Sequence, residues 1–357
     1  MSHLEITNLF SVKGLVAVIT GASSGLGEVM AHALDVNGAA KVFILGRRED
    51  KLKEVAAKAK NGTLIPVVCD VTSKESLEAA VAIIEKETPF INLLIANSGY
   101  LGDVSGMVPR PESQTLQELQ KEQWDKASYE DASKVVTTNI AGSYFTFLAF
   151  VSLLGLGNSH PSSVGKKGLL QSQFIATTSF GGMARKEAPS YVYNASKAGL
   201  NHLVKTVASE YARYGVRANA IAPGTFVTEM TEAYTPEGDI SAVGSLPWQA
   251  IPATRAGTEE DMAGAVLYLA SRAGSGPPYQ TAGLVLERRG VDRRAAAQMS
   301  ARLGQWVVPL PTDTSGTDGE DGLGTGVHGV AYNSSRVGGE NTATATATAI
   351  VWFGGRV

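Results

Sequence analysis

From the start of the chain, short and unbroken apolar runs alternate with longer amphipathic ones. Residues 15–20, 41–45, 63–68, 91–96, 174–178 and 217–221 read as strands, and residues 28–37, 50–60, 74–87, 132–154 and 193–214 read as helices. A strand exposed on one face alternates apolar with polar; these runs do not. Strands that are apolar throughout are those covered by helices on both faces, so the order predicts an α/β fold with a doubly wound parallel sheet. Ligands of such sheets bind at the carboxyl ends of the strands, and the candidate chemistry is sought there.

Two stretches break the rhythm. Residues 101–131 are polar and contain Pro109 and Pro111, which predicts a surface insertion after the fourth strand. Beyond Gly274 the chain turns rich in Gly, Thr, Ser and Ala and ends in a Thr/Ala tract before residues 350–357. That composition buries too little apolar surface to offset chain entropy, so residues 275–357 are expected to be a poorly ordered extension to a catalytic domain over residues 10–274. Residues 283–286 and 350–355 are rival candidates for a last strand, and the abrupt change suggests an altered reading frame or a retained intron.

Composition narrows the partners. A net charge of -3 over 357 residues, with 18% charged, gives no basic excess to recruit nucleic acid or an acidic membrane surface. Residues 1–13 do not read as a secretory signal, and the most apolar stretch, 142–157, is short and glycine-broken for a span. The single cysteine, Cys69, excludes an intramolecular disulfide framework and reads as a small core residue. A cytoplasmic protein with no bound metal is expected.

The first strand runs into Thr20-Gly21-Ala22-Ser23-Ser24-Gly25-Leu26-Gly27 and then a helix. In such a loop one glycine permits the turn, another lets the backbone approach a pyrophosphate, and a third lets helix pack on strand, while helix amides face the anion. With a readable strand before it and a readable helix after it, the loop predicts a Rossmann-type nucleotide site; the plain alternative is a turn that merely joins the two. The second strand ends in Gly46-Arg47-Arg48, where an acid would hold the ribose hydroxyls of NAD. Cations before the N-terminus of a helix call for an anion, and the 2'-phosphate of NADP(H) supplies one, with Arg47 as its ligand. The plain alternative is that either arginine is a solvated surface residue. Asp70 and Val71 follow the third strand, and Asn97 and Gly99 the fourth. Asp70 is placed to accept from the adenine amino group or to cap a helix, and Asn97 to brace the loops or to occupy a turn.

Tyr193 and Lys197 sit four apart on one face of a helix, where an ammonium is expected to lower the phenol toward working pH. Ser179 lies fourteen residues earlier at a strand end, and Asn139 within an apolar helix where a buried amide needs partners. Over residues 10–274 the sequence resembles the short-chain dehydrogenase/reductase family. The family's glycine loop falls on Gly21, Gly25 and Gly27, and its Asn-Ser-Tyr-Lys tetrad on Asn139, Ser179, Tyr193 and Lys197. The resemblance implies that Tyr193 is the general acid for carbonyl reduction, or the base for alcohol oxidation. Ser179 then polarises the substrate oxygen, Lys197 binds the nicotinamide ribose, and Asn139 holds a relay water. Pro223, Gly224 and Thr228 resemble the segment that holds the nicotinamide carboxamide. Ala96-Asn97-Ser98-Gly99 departs from the family's usual Asn-Asn-Ala-Gly.

The expectation is an NADP(H)-dependent reductase of a ketone or 3-oxoacyl group, similar to 3-oxoacyl-carrier-protein reductases and assembled as a homodimer or homotetramer. The rivals are an alcohol dehydrogenase working oxidatively and a catalytically silent nucleotide-binding scaffold. The substrate pocket is expected from residues 100–115, the loop after Ser179, and residues 226–252, including Met230, Tyr234 and Trp248.

Overall fold

The computed structural model describes residues 4–103, 111, 113–167, 170–184, 190–232, 235, 238–247, 251, 253–275 and 283–286. Among the described residues, seven parallel strands are β1 (Val16–Thr20), β2 (Lys41–Gly46), β3 (Leu64–Val68), β4 (Leu93–Ala96), β5 (Gln173–Thr177), β6 (Arg217–Pro223) and β7 (Gly283–Leu286). Their order is β3-β2-β1-β4-β5-β6-β7. The reversal between β1 and β4 puts the β1 and β4 loops at the switch point, where the crevice opens. The helices are α1 (Ile6–Leu9), α2 (Gly25–Val36), α3 (Glu49–Ala57), α4 (Lys74–Glu87), α5 (Leu116–Lys126), α6 (Tyr129–Val136), α7 (Gly142–Ser159), α8 (Tyr191–Tyr211) and α9 (Glu259–Ala270).

Period-2 geometry explains why the strands are apolar throughout. Along β1, Ala17 and Ile19 enter one core with α2 and α9, whereas Val16 and Val18 enter the other with α4, α7 and α8. Both sets are buried. On the second face Phe147 of α7 packs on Phe174 of β5, with ring centroids 5.0 Å apart, and against Tyr211 of α8 at 4.7 Å.

The polar insertion holds an element that the hydrophobic pattern does not show. Helix α5 buries none of its residues and starts at a capping box in which Thr115 accepts from the Glu118 amide while Glu118 accepts from the Thr115 amide. Helix α9 starts in the same way, at Thr258 and Asp261.

A second difference concerns membrane-spanning length. Helical structure runs on through α6, a π-helical turn at Thr137–Ala141 and α7, giving a 31-residue helix over Tyr129–Ser159 that is long and apolar enough to cross a membrane. Its apolarity has another use here, since Phe147, Phe150, Leu153 and Leu154 are core residues.

Of the two last-strand candidates, residues 283–286 form β7, paired in parallel with β6 from Ala220↔Gly283 to Pro223↔Leu286. Residues 350–355, with residues 276–282 and the rest of 287–357, lie outside the described residues.

Candidate active site

The carboxyl ends of β1 to β6 enclose a cleft of about 580 Å³. The glycine turn forms one wall. Gly21 and Gly25 have φ of 65° and 58°, conformations that side-chain-bearing residues rarely adopt. Asn97 stitches this turn to the β4 end, donating from Nδ2 to the Gly21 carbonyl at 3.1 Å, while its amide and that of Ser98 donate to the Thr20 hydroxyl. Asn97 thus ties the β1 and β4 loops together.

Gly27 lies behind the cleft instead of lining it, at the contact between helix and turn. A Cβ there would stand 2.3 Å from the Gly21 carbonyl oxygen and 2.6 Å from Asn97 Nδ2. Gly27→Ala is expected to destabilise the fold by about 3 kcal/mol and to spread the turn. Urea unfolding with and without cofactor checks this; a variant of wild-type stability would mean that the turn yields easily.

The turn suits an anion. Ser24 occupies the N-cap position of α2, yet its side chain accepts nothing from the helix and instead donates to Glu229 at 2.9 Å. The first-turn amides of α2 therefore have no side-chain cap and are left to a ligand of the cleft. Arg47 and Arg48 line the same end, with Asp70 and Val71. Asp70 Oδ1 accepts from both the amide and the hydroxyl of Thr72, at 2.9 and 2.7 Å. Burial raises the Asp70 carboxyl, but the Thr72 bonds and the nearby Arg47 charge together hold it below its ordinary value. It is not the cap of α4, a role taken by Ser73.

At the other end stand Ser179, Tyr193 and Lys197, with Thr177, Pro223, Gly224, Met230 and Thr228 on the same lining. Ser190 caps α8 through the Tyr193 amide and starts the helix so that Tyr193 and Lys197 share its inner face. Lys197 Nζ donates to the Thr177 carbonyl at 2.8 Å and lies 5.7 Å from the centre of the Tyr193 ring. Burial lowers Lys197 to about 8.

The phenol behaves otherwise than its spacing from Lys197 predicts. Tyr193 is 8% exposed, and burial raises its pKa above the ordinary value although the Ser179 hydroxyl acts in the opposite direction. Desolvation of the phenolate outweighs the Ser179 hydrogen bond, and the Lys197 ammonium, 5.7 Å from the ring centre, does not reverse it.

Asn139 is fully buried one layer behind the cleft, in the π-helical turn. Its Oδ1 accepts from the Tyr100 amide at 2.8 Å, and its Nδ2 donates to the Tyr100 carbonyl and to Ser196 Oγ, at 3.0 and 2.9 Å. A Cβ built on Gly99 would lie 3.4 Å from Asn139 Oδ1 and 3.6 Å from Lys197 Nζ, so these groups converge there. All the expected site residues except Gly27 and Asn139 line the one cleft. Tyr100, Lys134 and Glu229 line it too, without any motif to announce them. In the expected substrate pocket, residues 104–110, 112 and 185–189, Tyr234 and Trp248 lie outside the described residues.

Comparison with known proteins places this geometry. A family model described as short chain dehydrogenase matches residues 15–238. A short-chain dehydrogenase/reductase of Stachybotrys chartarum, SAT3, is 43% identical over 254 residues, covering 69% of this chain and 92% of that protein. PhomF of Diaporthe leptostromiformis, also a short-chain dehydrogenase/reductase, is 41% identical over 276 residues, covering 76% of this chain and 90% of its own. Among solved structures, a gluconate 5-dehydrogenase of Burkholderia cenocepacia in complex with NADP and tartrate shares the fold, with a TM-score of 0.61 at 24% identity, covering 79% of this chain and 97% of that one. With its glycine turn, its Tyr193 and Lys197 pair and its parallel sheet, the chain belongs to the short-chain dehydrogenase/reductase family of oxidoreductases.

Proposed function

We propose that this chain is an NADPH-dependent reductase that converts a ketone or 3-oxoacyl carbonyl to an alcohol. The observation that carries the reading is one continuous cleft with two arginines at its nucleotide end and a buried phenol at the other. The fit to a dinucleotide rests on the left-handed glycine turn, the uncapped amides of α2 and the cationic β2 end. A bound NADPH would supply the hydride to the carbonyl carbon; the protein's part is position and protons.

In this reading Tyr193 donates its phenolic proton to the oxygen that becomes the alcohol. A phenol whose pKa burial raises is in the donor form at neutral pH, as the reduction requires. Ser179 shares the substrate oxygen with Tyr193. Lys197, at about 8, keeps its charge at pH 7 and offers its remaining protons to the ribose hydroxyls. Asn139 is a positioning residue, fixing the Tyr100 backbone and Ser196 behind the site and standing by a proton relay. Arg47 takes the 2'-phosphate and Asp70 the adenine edge. Pro223, Gly224 and Thr228 face the nicotinamide. Phe226 and Met230 line the cleft with apolar surface and favour an apolar substrate. The same reading makes the protein a cytoplasmic homodimer or homotetramer, and Tyr144, Phe145 and Leu148 stand exposed on α7 for such an interface. Residues 10–274 are the catalytic domain and residues 275–357 its C-terminal extension, from which β7 joins the sheet.

The test is a carbonyl panel assayed with NADPH and NADH side by side. Turnover with NADPH is expected, and Arg47→Ala is expected to raise its KM about 10- to 100-fold while leaving the KM for NADH unchanged, the loss of a charge-assisted phosphate contact. A strong NADH preference refutes the role of Arg47. NADPH that binds but is never oxidised across the panel favours a silent scaffold.

A further inference from the structure

A polar cluster at the nucleotide end of the cleft joins three separate parts of the chain. Arg48 Nη2, from the β2 end, donates to Ser23 Oγ at 3.2 Å, to Ser24 Oγ at 3.0 Å and to Glu229 Oε2 at 2.8 Å. Ser24 donates to the same Glu229 oxygen at 2.9 Å. Glu229 comes from the segment after β6, which also presses Thr228 on the glycine turn, since a Cβ on Gly25 would meet the Thr228 side chain at 3.3 Å. A guanidinium and the Ser24 hydroxyl gathered on one carboxylate oxygen, with the Ser23 hydroxyl beside them on Arg48, form a donor set of the kind that takes a phosphate. Here the chain's own carboxylate occupies it.

Resting on the NADPH reading above, we infer that Glu229 is a specificity-determining residue whose carboxylate competes with the 2'-phosphate of the cofactor for Arg48 and Ser24. Hydrogen bonds from Arg48 and Ser24 hold Glu229 below the ordinary carboxylate range, so at neutral pH it is an anion. A 2'-phosphate arriving beside Arg48 meets that charge and must turn it out before taking its donors. An unphosphorylated ribose meets no such penalty. Glu229 therefore narrows the preference that Arg47 and Arg48 establish, and removing its charge widens it. Arg48 and Glu229 are about half exposed, at 47% and 53%, so the effect is modest and weakens with salt.

Calorimetric titration with adenosine 2',5'-bisphosphate and with 5'-AMP tests this without turnover. Glu229→Gln is expected to tighten the bisphosphate about fivefold and to change 5'-AMP less than about twofold. In an Arg48→Ala background the gain is expected to vanish, because the donor in dispute is gone. Equal or weaker binding of the bisphosphate by Glu229→Gln, or an equal gain for both ligands, overturns the competition while leaving the NADPH reading intact. A wild-type protein that binds the bisphosphate no tighter than 5'-AMP sinks the NADPH reading, and this inference with it.

Discussion

Tyr193→Phe is expected to lower kcat for carbonyl reduction by about 10³-fold with the Kd for NADPH almost unchanged. The phenylalanine ring fills the same space, and Tyr193 is 8% exposed, so shape and packing survive. Only the hydroxyl is lost. Ser179, its partner there, still accepts from the Gly181 amide at 3.1 Å and faces the cleft, so no buried group is orphaned and stability is expected to hold. What disappears is the proton for the nascent alkoxide, and the nearest cation is a poor substitute because Lys197 Nζ is tied to the Thr177 carbonyl. Single-turnover oxidation of NADPH, read beside its binding, separates the two effects. A variant that keeps more than about a tenth of kcat would remove Tyr193 from the role of proton donor.

How far the sequence foretold this site depends on the kind of signal each residue leaves. The six apolar strand runs fall on β1 to β6; within the sheet, covered on both faces, nearly every side chain along a strand is buried, and of these six only edge strand β3 leaves residues exposed, Pro66 and Val68. The glycine turn and the Tyr193 and Lys197 pair are local patterns, and they too fall where expected. Helix α5 left no apolar stripe, since it buries nothing; its only sequence mark is the Thr115 and Glu118 capping box. The union of Arg48 with Glu229 spans 181 positions, and no spacing rule reaches so far. Nor did spacing foretell the state of the phenol. It places Lys197 beside Tyr193 but is blind to burial, and burial reversed the expected direction.

Lys197→Met is expected to abolish activity and yet to raise stability at pH 7 by about 2 kcal/mol. Burial lowers Lys197 from 10.5 to about 8, and a depression of that size corresponds to about 3 kcal/mol of destabilisation while the group is charged. Methionine fills a similar volume without that cost. Against it stands the bond from Nζ to the Thr177 carbonyl, whose loss is worth about 1 kcal/mol. The balance carries a signature in pH. The unfolded lysine holds its proton up to 10.5 and the folded one only to about 8, so the wild type gains stability as pH rises between those values. The variant has no such gain, and its advantage is expected to shrink above pH 8, at about 1.4 kcal/mol per pH unit, and to reverse at about pH 9.5. Urea unfolding of both proteins across that window checks it. A constant difference between them, or a variant less stable at pH 7, would mean that the buried ammonium is solvated well enough to cost nothing. If the cost is there, a charge kept at the expense of stability beside Tyr193 is retained for what it does in the cleft.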